Sequence, residues 1–142
     1  MTAKFDGIGA TPRLKFSGFD FDRSADAKCR ARVVLSRADG AEFTGRAEGV
    51  ASPAGELRCA AAAALDAIVQ AAASQATFEL LGVKAVRAFD QNVVIVSIAF
   101  QEPGRALRLV GSHITETNPP RGAALAVLNA TNRFMGNVLT TR

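Results

Sequence analysis

The chain has 142 residues, of which 49% are hydrophobic and 21% are charged, and its formal net charge is +4. This length and composition predict a single globular domain over residues 1–142 and exclude a disordered chain. The longest apolar run, at residues 59–65, is too short to cross a bilayer, and residues 1–10 lack the pattern of a secretory signal, so we expect a cytoplasmic protein with no membrane association. With two cysteines and one histidine in the chain, we expect buried thiols, no metal site and no cofactor.

The first half of the sequence predicts three strands followed by a helix. Alternating apolar residues place the strands at residues 14–21, 29–36 and 41–51, and the turn Ala38-Asp39-Gly40 joins the last two. Pro53-Ala54-Gly55 then breaks the chain. Residues 56–73 form an alanine-rich helix, whose small side chains allow close packing on a sheet or on another helix.

The second half repeats this order. Strands are predicted at residues 77–86, 93–100 and 106–115, with the turn Glu102-Pro103-Gly104 between the last two. A helix follows at residues 118–139, because Asn118 is a typical N-cap and two prolines suit the first turn.

The two halves indicate an internal duplication of residues 14–73 and 77–139. Gly49 and Gly111 lie at matching points of the halves, and Phe16 and Phe78 are separated by the same length of chain. The helices match at a separation one residue longer, which aligns Ala64-Leu65-Asp66 with Val127-Leu128-Asn129. We therefore predict an α+β fold built from a duplicated βββα unit with pseudo-twofold symmetry, in which both helices pack on one face of an antiparallel sheet.

One segment carries a family resemblance. The second helix contains Leu128-Asn129-Ala130-Thr131-Asn132-Arg133-Phe134 and follows Val110-Gly111-Ser112-His113, while Gly45-Arg46-Ala47-Glu48-Gly49 precedes the first helix. This arrangement resembles the C-terminal regulatory domain of 2-isopropylmalate synthase and citramalate synthase. The resemblance covers the order of elements from about residue 28 to residue 134, and it is close in residues only at 128–134.

The resemblance implies a duplicated βββα domain that dimerises and holds a feedback amino acid near two glycine loops. The chain departs from the family pattern at the start of the second helix, where it has Asn118-Pro119-Pro120-Arg121. Leucine or isoleucine specificity is therefore not carried over. The chain contains no catalytic barrel, so a regulatory domain of this kind would act on a separate target protein.

Five residues form the candidate ligand site: Gly49, Arg58, Gly111, His113 and Arg121. The two glycines would let backbone N–H groups approach a small anion near a helix N-terminus. The two arginines lie early in the helices, where the helix dipole disfavours a cation; this indicates a nearby anion, with a solvated arginine as the alternative. His113 points away from Ser112 on a strand, which favours a pocket wall over a catalytic base.

These patterns predict a non-enzymatic module for small-molecule sensing or assembly, which binds a small carboxylate-bearing metabolite. A homodimer is expected because the run Val93-Val94-Ile95-Val96 implies a strand that is buried on both faces. The alternative is a basic nucleic-acid-binding protein, since Lys28, Arg30 and Arg32 share one face of a strand. An enzyme is the third reading. Upstream aspartates and the lack of Trp and Tyr disfavour nucleic-acid binding.

Overall fold

A computed structural model describes residues 14–72 and 76–140, with side chains described up to residue 132. This part of the chain has two successive βββα units, which confirms the predicted α+β fold. The elements are β1 (Leu14–Arg23), β2 (Lys28–Arg37), β3 (Glu42–Val50), α1 (Pro53–Ala72), β4 (Thr77–Ala88), β5 (Gln91–Glu102), β6 (Arg105–Thr115) and α2 (Pro119–Thr140).

The strands form two antiparallel three-stranded sheets, one in each unit. Their orders are β1-β2-β3 and β4-β5-β6, so every strand pairs with its neighbour in sequence. Where the sequence predicted one antiparallel sheet, the strands are divided between two sheets that pack on the helices. Both first strands carry an irregularity at a glycine, between Phe16 and Gly18 in β1 and between Leu80 and Gly82 in β4.

The two helices lie side by side between the sheets. Helix α1 packs on β2 and β3 of its own unit and also on β4, while α2 packs on β5 and β6 and also on β1. Each helix therefore covers the inner face of its own sheet and reaches the first strand of the other sheet. Apolar side chains fill this layer, including Leu35 and Ile68 in the first unit and Ile98 and Val127 in the second. Pseudo-twofold symmetry remains a prediction.

Both helices begin with a side-chain cap. The Asn118 side-chain oxygen accepts a hydrogen bond from the backbone N–H of Arg121 at 3.1 Å, which confirms the predicted N-cap. Helix α1 begins three residues earlier than predicted, because Ser52 accepts from the N–H of Gly55 at 3.0 Å and Pro53 suits the first helical position. The predicted last residue of this helix, Ala73, lies outside the described residues.

The structure corrects the predicted pairing of Gly49 with Gly111, since Gly45 has the equivalent contacts. A Cβ atom added to Gly45 would lie 2.0 Å from the carbonyl oxygen of Ala63, and one added to Gly111 would lie 2.2 Å from that of Ala126. The helices keep their predicted alignment, in which Ala63 corresponds to Ala126. The sequence separation between Gly45 and Gly111 in the third strands is larger than the separation between these two alanines. The hairpin of β5 and β6 is longer than that of β2 and β3, which shifts the third strands.

Candidate functional site

Side chains of the helices bond to the edge strands of the sheets, and the buried contact of this kind joins the two units. The Asn132 amide accepts a hydrogen bond from the Leu14 N–H at 3.2 Å and donates to the Leu14 carbonyl at 3.0 Å. Asn132 is buried, so this pair satisfies polar groups on both sides. Asn132 therefore joins α2 of the second unit to β1 of the first.

Arg58 and Arg121 hold equivalent places in the two helices, and each reaches the first strand of the other unit. The Arg58 guanidinium donates to the carbonyl of Leu80 in β4 at 3.1 Å. The Arg121 guanidinium lies 5.3 Å from the centre of the Phe16 ring in β1, which is a cation–π contact. Neither arginine forms an ion pair with another residue in the described part of the chain.

The third strands are bonded by their own helices. In the first unit, the Asp66 carboxylate accepts from the N–H of Arg46 at 3.1 Å, and Gln70 donates to the Thr44 carbonyl at 2.7 Å. In the second unit, Asn129 accepts from the N–H of Ser112 at 3.3 Å. Each of the four edge strands therefore receives at least one helix side chain.

A groove of about 410 Å³ lies between α1 and the edge strand β4. Val69 stands in α1 at the position that corresponds to Asn132 when Ala63 is aligned with Ala126. A valine cannot bond to a strand edge as an asparagine does. In the second unit, the Asn132 amide bonds to the edge of β1. The groove lies at the equivalent place in the first unit, where no such amide is present.

The groove combines both signs of charge with apolar walls. Arg58 lies on its rim together with two acidic residues, Asp66 and Glu79. Its remaining lining is apolar and consists of Ala62, Leu65, Val69, Phe78 and Leu80. Arg58 is exposed and uses one nitrogen on the Leu80 carbonyl, so its other N–H groups can bind an anion. The acidic rim suits a positively charged group of the same ligand.

The five predicted site residues are not brought together. Gly49 packs near the Cys59 side chain, where an added Cβ would make an ordinary contact of 3.4 Å, and the space beside Gly111 is filled by the backbone of α2. His113 and Arg121 lie near each other beside α2, and Arg58 lies at the groove of the other helix. Sequence reasoning thus found Arg58, but it missed Asp66, Val69 and Phe78, because no local pattern indicates which strand of the other unit α1 meets.

His113 is not arranged as a general base. Partial burial, and secondly the charge of the Arg121 guanidinium, lower the pKa of His113 below its usual value of 6.5. The ring is therefore neutral at neutral pH. It faces the helix side of its strand, on the same side as the buried Leu109, which agrees with the predicted orientation away from Ser112.

The two cysteines are buried and free, as the sequence indicated. Cys59 points its sulfur at the carbonyl oxygen of Ala47, at 3.4 Å, and at that of Cys29, at 3.8 Å. Burial and the neighbouring Cys29 raise the pKa of the Cys59 thiol to about 12. Because the thiolate is the reactive form of cysteine, this thiol is chemically inert at neutral pH.

The basic stripe on β2 is interleaved with acidic side chains. Arg32 forms an ion pair with Asp20 on β1, and Arg30 lies 3.9 Å from Glu48 on β3. A shallow depression of about 710 Å³ on this sheet is lined by the same residues, together with Asp22 and Arg46. Carboxylates next to these arginines would repel phosphates, so this surface disfavours the nucleic-acid alternative.

A third groove, of about 470 Å³, lies between the starts of the two helices. Its walls include Pro53, Pro119 and Pro120, and its charged residues are Arg23 and Glu56. These two form a bidentate ion pair with distances of 2.6 and 2.8 Å, which lowers the pKa of the Glu56 carboxyl. Because the two charges satisfy each other, this groove offers a ligand mainly apolar contacts.

No protein-family model matches the chain, and no curated protein matches its sequence. Within residues 14–72 and 76–140, neither helix is long and apolar enough to span a membrane. The same part of the chain contains no cluster of three His, Cys, Asp or Glu side chains that could hold a metal ion.

Proposed function

We propose that the chain is a non-enzymatic, dimeric regulatory module that binds a small carboxylate-bearing metabolite in the groove between α1 and β4. The ligand carboxylate binds Arg58, and amino acids with an apolar side chain are the first class to test. Binding changes the contact between the two units and is passed to a separate target protein. The module needs no cofactor for this function.

The observation that carries the proposal is the combination of Arg58 with acidic and apolar residues in a groove between the units. A guanidinium binds a carboxylate through two parallel hydrogen bonds. Asp66 and Glu79 on the same rim offer partners for an ammonium group, and Leu65, Val69 and Phe78 offer apolar contact. Because α1 and β4 belong to different units, a ligand held here bridges them.

A thermal-shift screen of amino acids and 2-oxo acids tests the proposal. A ligand that binds only the folded state raises stability by about 2.7 kcal/mol at about a hundredfold excess over its dissociation constant, which shifts the melting midpoint by several degrees. Arg58→Gln should abolish the shift produced by any hit. The matched control is Arg121→Gln, which changes the equivalent residue of the other helix and should preserve the shift.

Three outcomes would contradict the proposal. The first is that no tested acid shifts the melting midpoint. The second is that Arg58→Gln leaves the shift of a hit intact. The third is that Arg121→Gln abolishes the shift, which would place the ligand beside His113. Short RNA or DNA serves as the comparison ligand. A shift with nucleic acid that weakens steeply with salt, in the absence of any shift with the acids, would favour the nucleic-acid alternative.

A further inference from the structure

The outer face of the second sheet, which is the surface of β4, β5 and β6 turned away from the helices, carries an exposed apolar patch among polar and charged residues. It presents Ile95 from the central strand and Val110 and Ile114 from β6, the last two with 51% and 57% of their surface exposed. The outer face of the first sheet instead carries the ion pairs of Arg32 and Arg30. Two otherwise similar sheets thus differ in the face they turn to solvent, and an exposed apolar face indicates an interaction surface.

We infer that this outer face binds the same face of a second copy of the chain, across a twofold axis that runs parallel to β5. The inference rests on the dimer included in the proposed function and names the surface that forms it. The register of the three strands fixes which side chains share each cross-strand row.

Five rows of outward-facing residues cross the sheet; the fifth, Thr77-Gln101-Ala106, lies at the end of the strands, and the other four matter for the pairing. In the order β4, β5, β6 these four are Val86-Val93-Ile114, Lys84-Ile95-Ser112, Gly82-Ser97-Val110 and Glu79-Ala99-Arg108. A twofold axis along the central strand keeps each row at its own level and exchanges the outer strands. Strand β4 of one copy therefore lies over β6 of the other, and β5 lies over β5.

This arrangement makes the face complementary to itself. Glu79 of each copy meets Arg108 of the other, which gives two opposite-charge pairs, and neither residue forms an ion pair within the described part of its own chain. Val110 of each copy projects toward Gly82 of the other copy. A Cβ atom added to Gly82 would have no heavy atom within 4 Å, so the space above this glycine is open. Ile95 lies on the axis and meets its own copy.

The size of the face matches that of a small, weak dimer interface. Three strands of 11 or 12 residues, about 4.8 Å apart and rising about 3.3 Å per residue, cover a footprint of about 500 Å² before side-chain relief is counted. Specific interfaces bury about 800 Å² on each partner, and weaker ones bury less. Because each copy uses the same face across a twofold axis, assembly stops at a closed pair.

The first experiment measures oligomeric state by light scattering and sedimentation at micromolar concentration. The wild-type chain should be a dimer. Ile95→Lys places a charge on the axis and should raise the dimer dissociation constant by about 100-fold or more. The matched control is Val34→Lys, the same change to an outward-facing residue of the central strand of the other sheet, and it should remain dimeric. Circular dichroism checks that both variants are folded.

A charge-exchange cycle tests the register of the interface. Arg108→Glu opposes two like charges and should weaken the dimer by about tenfold, and adding Glu79→Arg should restore most of the affinity. A failure of the second change to restore affinity would overturn the proposed axis. Oligomeric state is the measured quantity in this cycle, since Glu79 also borders the ligand groove.

The outcomes separate this inference from the proposed function. A wild-type dimer that survives Ile95→Lys refutes the outer face as the interface and leaves the dimeric module intact. A monomeric wild-type chain refutes the inference together with the dimeric part of the proposal. The thermal shift with a carboxylate ligand reports binding in both cases, because Ile95 lies on the side of the sheet away from the helices.

Discussion

Gly45 and Gly111 are the points at which strand and helix backbones approach most closely in each unit. An added methyl group would lie well inside van der Waals contact with a helix carbonyl oxygen at both positions, so neither strand could stay at its present distance from the helix. The facing helix residues are alanines, Ala63 and Ala67 in α1 and Ala126 and Ala130 in α2. Tight packing of this kind explains why both helices are rich in alanine.

Gly45→Ala should therefore destabilise the protein strongly. Because the clash is with backbone atoms that cannot rotate away, we expect a loss of about 3 kcal/mol or more in the free energy of unfolding, measured with chemical denaturant. Gly111→Ala should have a similar effect. Gly49→Ala is the control, and it should change stability by less than about 1 kcal/mol, since its added Cβ makes an ordinary contact. An equal loss in all three variants would contradict the packing explanation.

At the scale of single residues, the sequence predicted the features that depend on neighbours in the chain. The Asn118 cap and the buried thiols are of this kind, because an N-cap and an apolar run can be read over a few positions. The role of Gly111 and the partners of Arg58 depend on elements distant in sequence. Consequently, a glycine expected to face a ligand faces a helix instead, and the residues that share the groove with Arg58 were not predicted.

The hairpin of β4 and β5 ends in an unusual turn. Phe89 and Asp90 connect the two strands with positive φ angles of 52° and 62°. Two positive angles in a two-residue connection are typical of a type I′ turn, which favours Asn-Gly. Phenylalanine is disfavoured in this conformation, and the Phe89 side chain is also 97% exposed, so it gains no burial in return.

Replacing Phe89-Asp90 with Asn-Gly should stabilise the protein. Both new residues adopt positive φ readily, and we expect a gain of about 1 kcal/mol in the free energy of unfolding. The control is Phe89→Ser, which removes the exposed ring and keeps a side chain that disfavours this conformation, so it should give little of the gain. A full gain from Phe89→Ser would show that the ring, and not the backbone angle, is the source of the cost.

At the scale of elements, periodicity predicted all six strands and both helices in the correct order. The main differences are at the ends of elements. Helix α1 includes Pro53, because proline is favoured at the first position of a helix when a capping serine precedes it. Strand β4 extends two residues past its predicted end at Val86 and reaches the turn. The separation of the strands into two sheets was not predicted, since alternation shows which face of a strand is buried but not which strand lies beside it.

For the whole molecule, the defining feature is that each unit completes the other. Asn132 bonds to the edge of β1, and Arg58 bonds to the edge of β4, so each helix covers a strand of the opposite sheet. An uncovered edge strand pairs readily with other chains. The duplication predicted from the sequence therefore has a structural purpose, although the contacts themselves required the structure.

Asn132→Ala should lower the free energy of unfolding by about 2 kcal/mol, because it leaves the buried N–H and carbonyl of Leu14 without partners. Asn129→Ala is the matched control on the same helix. It removes a single exposed bond to Ser112 and should cost less than about 1 kcal/mol. Hydrogen exchange at the Leu14 amide gives a local reading: exchange should accelerate in Asn132→Ala and remain slow in Asn129→Ala.

The pairing of Leu14 with Asn132 also has a consequence for synthesis of the chain on the ribosome. The two residues are 118 positions apart, so β1 leaves the ribosome well before Asn132 and waits for that length of chain before its edge is bonded. During that interval the first unit has a complete hairpin and helix but an open strand edge, and nascent chains on neighbouring ribosomes carry the same edge. Slow elongation through the second unit prolongs this exposure, which makes translation speed a determinant of soluble yield.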